Sequence, residues 1–270
     1  MGMNTDVATL KEQAACRAVE WVRPGMVVGL GHGSTAAFAV QRIAERIRSG
    51  ALHGIRGVPC SRTVHALAKK LGIPLTDLNR CPVIDLTIDG ADEVDEDLNL
   101  IKGGGGALLR EKIVALASRC EVIVVDETKM SPVLGTRCAV PVEAVPFGWL
   151  SHVRFLENLG AQVDLRRNRD GTIFRTDQNN ILLDAHFGPI GDPPRLAAIL
   201  KARTGVVEHG LFIELARDVF VAGESGLRHM KIPGTGDSPA SDSLPKGAEG
   251  NRSARPDASR GPVQTRRVTV

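Results

Sequence analysis

The chain has 270 residues, 43% of them apolar and 3% aromatic, with no tyrosine. That length allows one large or two modest domains with a sizeable core, and so few aromatics leave no stacking platform for single-stranded nucleic acid. The net charge of +3 comes from the residues after 230, which hold 7 Lys and Arg against 4 Asp and Glu. The rest of the chain is formally neutral, which argues against a nucleic-acid footprint. Cys16, Cys60, Cys81, Cys120 and Cys138 are odd in number and show no CxxC spacing, so neither a disulfide framework nor a zinc site is expected. No signal-peptide pattern opens the sequence and no apolar run approaches the ~20 residues of a membrane span. A cytoplasmic protein with no nucleic-acid and no membrane partner is expected.

In chain order, residues 6–22 read as a helix, with Val7, Leu10, Ala14, Ala18 and Trp21 at helical spacing and Pro24-Gly25 as the stop. MVVGLG is a short buried strand, and GHGSTAAFAVQRIAERI a glycine turn into a helix that Ser34 or Thr35 could cap. Residues 55–58 form a strand, residues 63–71 a helix and residues 74–75 an extended piece. The strand at Ile84, a glycine-rich turn, a helix carrying Glu111 and a strand over 121–125 follow. This alternation predicts an α/β fold, a mainly parallel, helix-covered sheet. From Pro141 the pattern changes to a helix over 151–159, then AQVDLRR, an Asp170-Gly171 turn, TIFRT and NNILLDAHF, which read as a smaller α+β domain with a hairpin. After a helix over 195–202, LFIEL and DVFVAG read as strands returning to the first domain. The expected boundaries are 1–134 with 207–229 for the α/β domain, 135–206 for the α+β domain and 230–270 for a disordered C-terminal tail rich in Pro, Gly, Ser and charge.

The chemistry concentrates in IDLTIDGADEVDEDLNLIKGGGGALLREK, residues 84–112. An apolar strand runs into Asp89 and Asp92, which flank Gly90-Ala91, residues small enough to admit a ligand. A run of acids is usually a solvated turn, but these follow a buried strand at once, at the sheet edge where ligands bind in open α/β folds. The calcium-loop pattern fails, since the position that needs glycine is Asp97 or Leu100. Lys102 precedes Gly103, Gly104, Gly105 and Gly106, whose amides could surround an anion. Glu111 lies on or next to the apolar stripe of its helix, where burial would raise its pKa and suit it to act as a general base. Gly33, Ser34 and Thr35, after His32, offer amides and hydroxyls to a phosphate at a helix N-terminus. Lys129 in VVDETKM reaches the same edge. No HxxxH or HExxH pair and no GxSxG elbow is present, so metal catalysis and a serine hydrolase have little support. No metal and no cofactor are expected.

GHGSTAA, IDGADE, LIKGGGGALLREKI, VVDETK, PVEAVPF and TGVVEHGLF, in this order, resemble the type A ribose-5-phosphate isomerases over about residues 7–225. The resemblance implies cofactor-free interconversion of D-ribose 5-phosphate and D-ribulose 5-phosphate, with a small sugar phosphate as the partner molecule. It implies that Glu111 is the catalytic base, that Asp89 and Asp92 contact sugar hydroxyls, and that Lys102, its glycines, Ser34, Thr35, Lys129 and Lys11 contact substrate. Asp89, Lys102 and Glu111 are the expected catalytic residues and a homodimer or homotetramer the expected assembly. His32 departs from the family's usual threonine. A nearby phosphate would favour its charged form, so substrate affinity is expected to weaken as pH rises through about 7. A sugar-phosphate sensor is an alternative, disfavoured by the few residues before the first helix and the neutral body. A CoA-transferase using Glu111 as nucleophile is another.

Overall fold

A computed structural model of the chain describes residues 7–232. The tail expected from residue 230 lies, beyond residue 232, outside the described residues. Helix α1 (Val7–Val19) leads into β1 (Val27–Leu30), α2 (Ser34–Arg48), β2 (Arg56–Pro59), α3 (Arg62–Lys70) and β3 (Leu86–Asp89). Two-residue strands β4 (Glu93–Val94) and β5 (Leu100–Ile101) precede α4 (Leu108–Leu116) and β6 (Glu121–Asp126), which ends in a single 3-10 turn (Glu127–Lys129). Then come β7 (Val140–Ala144), α5 (Trp149–Asn158), β8 (Gln162–Leu165), β9 (Ile181–His186), α6 (Pro193–Lys201), β10 (Val206–His209), β11 (Leu211–Phe212), β12 (Asp218–Gly223) and β13 (Gly226–Lys231).

The main sheet has the order β13-β12-β6-β3-β1-β2. Every neighbouring pair in it is parallel except β12 with β13. Strand alternation divides its residues between two layers. Leu86, Ile88, Val122 and Val124 pack with α1 and α2 residues such as Ala14, Ala18, Val40 and Ile43. Ile123, Val125, Val219 and Val221 face the other way, with Leu108 and Ala115 of α4. The second sheet, β10-β7-β9-β8, is wholly antiparallel. It packs on α5 and α6 through Leu156 and Leu200. A small ribbon, β11-β5-β4, brings residues 211–212 against Ile101 and Leu100, next to Lys102.

The chain departs from the sequence reading in three local places. TIFRT forms no strand, only an isolated bridge between Arg167 and Ile173, and β8 pairs with β9 instead. Neither Ser34 nor Thr35 caps α2: the cap residue is Gly33, at φ 106, which leaves both hydroxyls to other partners. Pairing of β13 with β12 runs to Lys231, past the boundary expected at residue 229, although β13 is mostly exposed and carries little apolar pattern to announce it. No helix among the described residues is long and apolar enough to cross a membrane.

Candidate active site

Lys102 is the centre of the site. It follows β5 and is 2% exposed. Its ammonium lies 3.0 Å from Asp89 Oδ2 at the end of β3 and 2.9 Å from Glu111 Oε1 in the first turn of α4, and it donates to the Gly90 carbonyl. Two of its three donors are hydrogen-bonded, to Gly90 and Glu111, and Asp89 pairs with its charge. Burial opposes the Lys102 charge, but Asp89 and then Glu111 outweigh it and hold the ammonium above its ordinary range. Burial lifts the Glu111 carboxyl to about 7, with Lys102 pulling down and Asp89 pushing up. A base poised near neutrality is what proton abstraction at physiological pH calls for.

The other oxygen of Asp89, Oδ1, accepts the backbone N–H of His32 at 2.9 Å and of Gly90 at 2.7 Å. This ties the end of β3 to the turn after β1. Gly31 permits the approach, since a Cβ there would stand 2.3 Å from Asp89 Oδ1. Asp92 Oδ2 accepts the N–H of Gly104 at 2.7 Å, so the acidic turn and the glycine loop close on each other. Gly103 sits at φ 106, the left-handed region that L side chains avoid.

One cavity is lined by Lys102, Glu111, Asp92 and Lys129 together with Gly33, Ser34 and Thr35 at the N-terminus of α2. His32, Gly90, Ala91, Gly103 and Gly105 also line it. Gly104 lines an adjoining hollow with Lys129, Arg137 and Arg166. Lys11 of α1 donates to the Ser34 hydroxyl at 3.1 Å, which puts a cation at the N-terminus of α2. A wider groove beside α3, between Arg62, Arg80 and Arg110, has none of the buried carboxylates among its lining residues.

His32 is set against Ser61. Its Nδ1 is 2.9 Å from Ser61 Oγ, and that same oxygen accepts the Val64 N–H as the cap of α3. The hydroxyl keeps its hydrogen and a second lone pair for the ring, so the contact suits either tautomer. Burial holds the imidazole below its ordinary pKa, against Asp89, which pulls it up. The expected rise does not arise from the protein's own groups.

Sequence reasoning missed the supports. Arg166, the residue after β8, donates to the carbonyls of Gly103 at 2.7 Å and Gly104 at 3.1 Å, and is itself held by a two-pronged pair with Asp184 of β9. The second sheet thus braces the glycine loop from behind. Asp177, in the loop before β9, accepts the N–H of Arg62 at 2.8 Å and lies 3.4 Å from Arg110, the neighbour of Glu111. Such partners are 60–115 residues away in sequence and leave no local signal; the only hint was a charge beside a strand. Among the described residues, no group of three or more His, Cys, Asp or Glu is arranged to hold a metal.

The model of the family "Ribose 5-phosphate isomerase A (phosphoriboisomerase A)" matches residues 56–226. A relative from Chloroflexus aurantiacus, ribose-5-phosphate isomerase A, is 59% identical over 226 residues, covering 84% of this chain and 95% of its own. The chain belongs to the ribose-5-phosphate isomerase A family. Another member, from Desulfatibacillum aliphaticivorans, is 55% identical over 84% of this chain and 99% of its own. Among solved structures, a D-ribose-5-phosphate isomerase in complex with phospho-erythronic acid superposes at TM-score 0.83 with 35% identity, over 84% of this chain and all of that one. The Methanocaldococcus jannaschii ribose 5-phosphate isomerase A follows at 0.80 and 36%, with the same coverage. Family membership makes this chain an aldose–ketose isomerase with a small phosphorylated sugar as its class of substrate.

Proposed function

We propose that the chain interconverts D-ribose 5-phosphate and D-ribulose 5-phosphate through a cis-enediolate, with Glu111 as the base. The observation that carries this reading is the Lys102 ammonium shared between the Asp89 and Glu111 carboxylates beside a cavity that Lys129 and the N-terminus of α2 also line, with Lys11 bonded to Ser34 there. Phosphate binds at the Ser34–Thr35 end, through loop amides, the two hydroxyls, Lys129 and Lys11. The remote phosphate contributes binding energy that orients the reacting carbons.

In the open-chain aldose, the Glu111 carboxylate removes the C2 proton. The C–H electron pair forms the C1–C2 double bond, and the carbonyl pair moves onto O1. On gaining that proton Glu111 becomes neutral and loses its hold on Lys102. The released N–H of Lys102 then turns to the enediolate oxygen that has just acquired charge, an electrostatic stabilisation timed by the proton transfer itself. Asp89, whose Oδ1 is closed by two amides, moves a proton from O2 to O1 through Oδ2. Glu111 returns its proton to C1 and the ketone forms at C2. Phospho-erythronic acid, the ligand of a related isomerase structure, carries a carboxylate whose paired oxygens resemble those of an enediolate, which supports this use of the site.

The reaction belongs to the non-oxidative interconversion of pentose phosphates, in the cytoplasm. Incubation with ribose 5-phosphate should yield the ketose, with exchange of the C2 proton for solvent deuterium. Failure to form ketose with folded, phosphate-binding protein would remove the reading and leave a sensor.

A further inference from the structure

Glu121 is a buried acid near this site that the mechanism leaves unused. It is the first residue of β6 and stands in register with Thr87 of β3, two positions below the Asp89–Ile123 pair. Strand spacing puts its Cα roughly 8 Å from that of Asp89. Residues in register on parallel strands point to the same side, so Glu121 shares the α4 face with Thr87 and Asp89. Thr87 Oγ1 is 2.6 Å from Ser118 Oγ, just past the end of α4, which confirms the face. Glu121 is 2% exposed, and neither carboxyl oxygen has a hydrogen-bond partner.

The charged groups around it are Asp89 from β3, Lys102 from the loop after β5 and Glu111 from α4. Toward β12 lies Arg217, whose backbone N–H donates to the Glu121 carbonyl and whose guanidinium is 3.7 Å from Asp218. An ionised carboxylate without a single donor is far costlier to bury than the neutral acid. Burial first, then Asp89, pushes its titration well above the ordinary range.

We propose that Glu121 is a positioning residue, a neutral carboxyl beneath the site whose ionisation draws the Lys102 ammonium away from Glu111 and turns the enzyme off at alkaline pH. This rests on the isomerase reading above. Lys102 already holds hydrogen bonds to Gly90 and Glu111 and an ion pair with Asp89; a third carboxylate competes with Glu111 for its charge.

Two measurements on the full chain test it. The first needs no substrate. A carboxyl titrating higher in the native than in the unfolded state adds stability below the unfolded pKa and loses it as pH rises. The ratio of unfolding constants, wild type over Glu121→Gln, is expected to climb toward tenfold per pH unit above about pH 5. A flat ratio overturns the proposal. The second is the pH profile of kcat/KM on ribose 5-phosphate. Both forms are expected to share the acid limb set by Glu111 and to part on the alkaline side, where wild type loses at least tenfold and the glutamine form does not. Superimposed alkaline limbs overturn it. Should the glutamine form not fold, Glu121→Leu carries both comparisons. Absence of turnover in wild type strikes the isomerase reading alone and leaves the first measurement standing.

Discussion

Two buried lysines flank the same aromatic ring. Lys102 Nζ is 5.5 Å from the centroid of Phe212 and Lys112 Nζ is 4.8 Å from it. Both are nearly sealed from solvent, at 2% and 7% exposure. Lys102 serves two carboxylates and one carbonyl. Lys112 serves one carboxylate, Glu208 at 2.8 Å, and the carbonyls of His209 and Leu211 at 2.7 and 2.9 Å. The surplus of negative charge raises the pKa of Lys102, whereas burial wins at Lys112 and lowers it despite Glu208. Burial of a lysine therefore does not mark a reactive site. Lys102 meets a cavity and a carboxylate that can change its charge, while Lys112 ties α4 to the β10–β11 turn.

If that distinction is right, removing the charge-changing partner of Lys102 has the largest effect. Glu111→Gln keeps the shape of the side chain but cannot accept the C2 proton. A fall in kcat of about 10²–10⁴-fold is expected, with binding of a phosphorylated sugar acid kept within about tenfold. Retention of more than about a tenth of wild-type kcat would show that Glu111 is not the base.

The same carboxyl sets the acid limb. Glu111 must be ionised to act, and burial has lifted it to about 7. Activity is expected to drop about tenfold per pH unit below that point. A rate that holds steady from pH 7 to pH 5 would place the base elsewhere.

Lys112→Met tests the other half of the comparison. Leaving a buried carboxylate without its partner costs about 3–5 kcal/mol. The lower end is expected because Lys201 remains 2.7 Å from Glu208. Turnover per folded molecule should be unchanged. The pair also predicts a pH window. Burial opposes the Glu208 charge, but Lys112 and Lys201 bring its pKa down to about 2. Its stabilisation is complete above the ordinary glutamate range and lost as pH falls toward 2. Wild type should lose stability in acid more steeply than Lys112→Met, by urea unfolding between pH 5 and pH 3. Parallel curves would mean that Lys112 does little at Glu208.

The contrast also separates what the sequence revealed from what it hid. Asp89, Lys102 and Glu111 were legible because strand, loop and helix carry them within 23 positions, and each turn between them is small or glycine-rich. The alternating half of the fold was legible for the same reason, since each strand–helix unit is local. Lys112 reads as one more charge on a helix surface next to Arg110, and only the return of β10 and β11 nearly a hundred residues later buries it. Arg166, Asp177 and Glu121 were hidden in the same way. Arg166 meets the glycine loop, Asp177 meets α3 and α4, and Glu121 lies on the α4 face of the sheet, and in the sequence each looks like an exposed charge. The three-stranded ribbon of β4, β5 and β11 escaped because two-residue strands have no period to read.

His32 gives the smallest effect and the finest test. A charged ring at the phosphate end would make substrate binding weaken above pH 7. The burial that lowers its pKa instead keeps the ring neutral at that pH. The sign of the linkage follows. A histidine titrating lower in the native state adds stability above its unfolded pKa, near 6.5, and loses it as pH falls below that value. His32→Thr should therefore be less sensitive to acid between pH 6.5 and pH 5 in thermal unfolding. Threonine cannot span to Ser61, so about one neutral hydrogen bond is lost and KM should change by no more than about tenfold. The KM profiles of the two forms should run parallel from pH 7 to pH 8.5. If only wild-type KM climbs over that range, the bound phosphate has charged the ring against its burial.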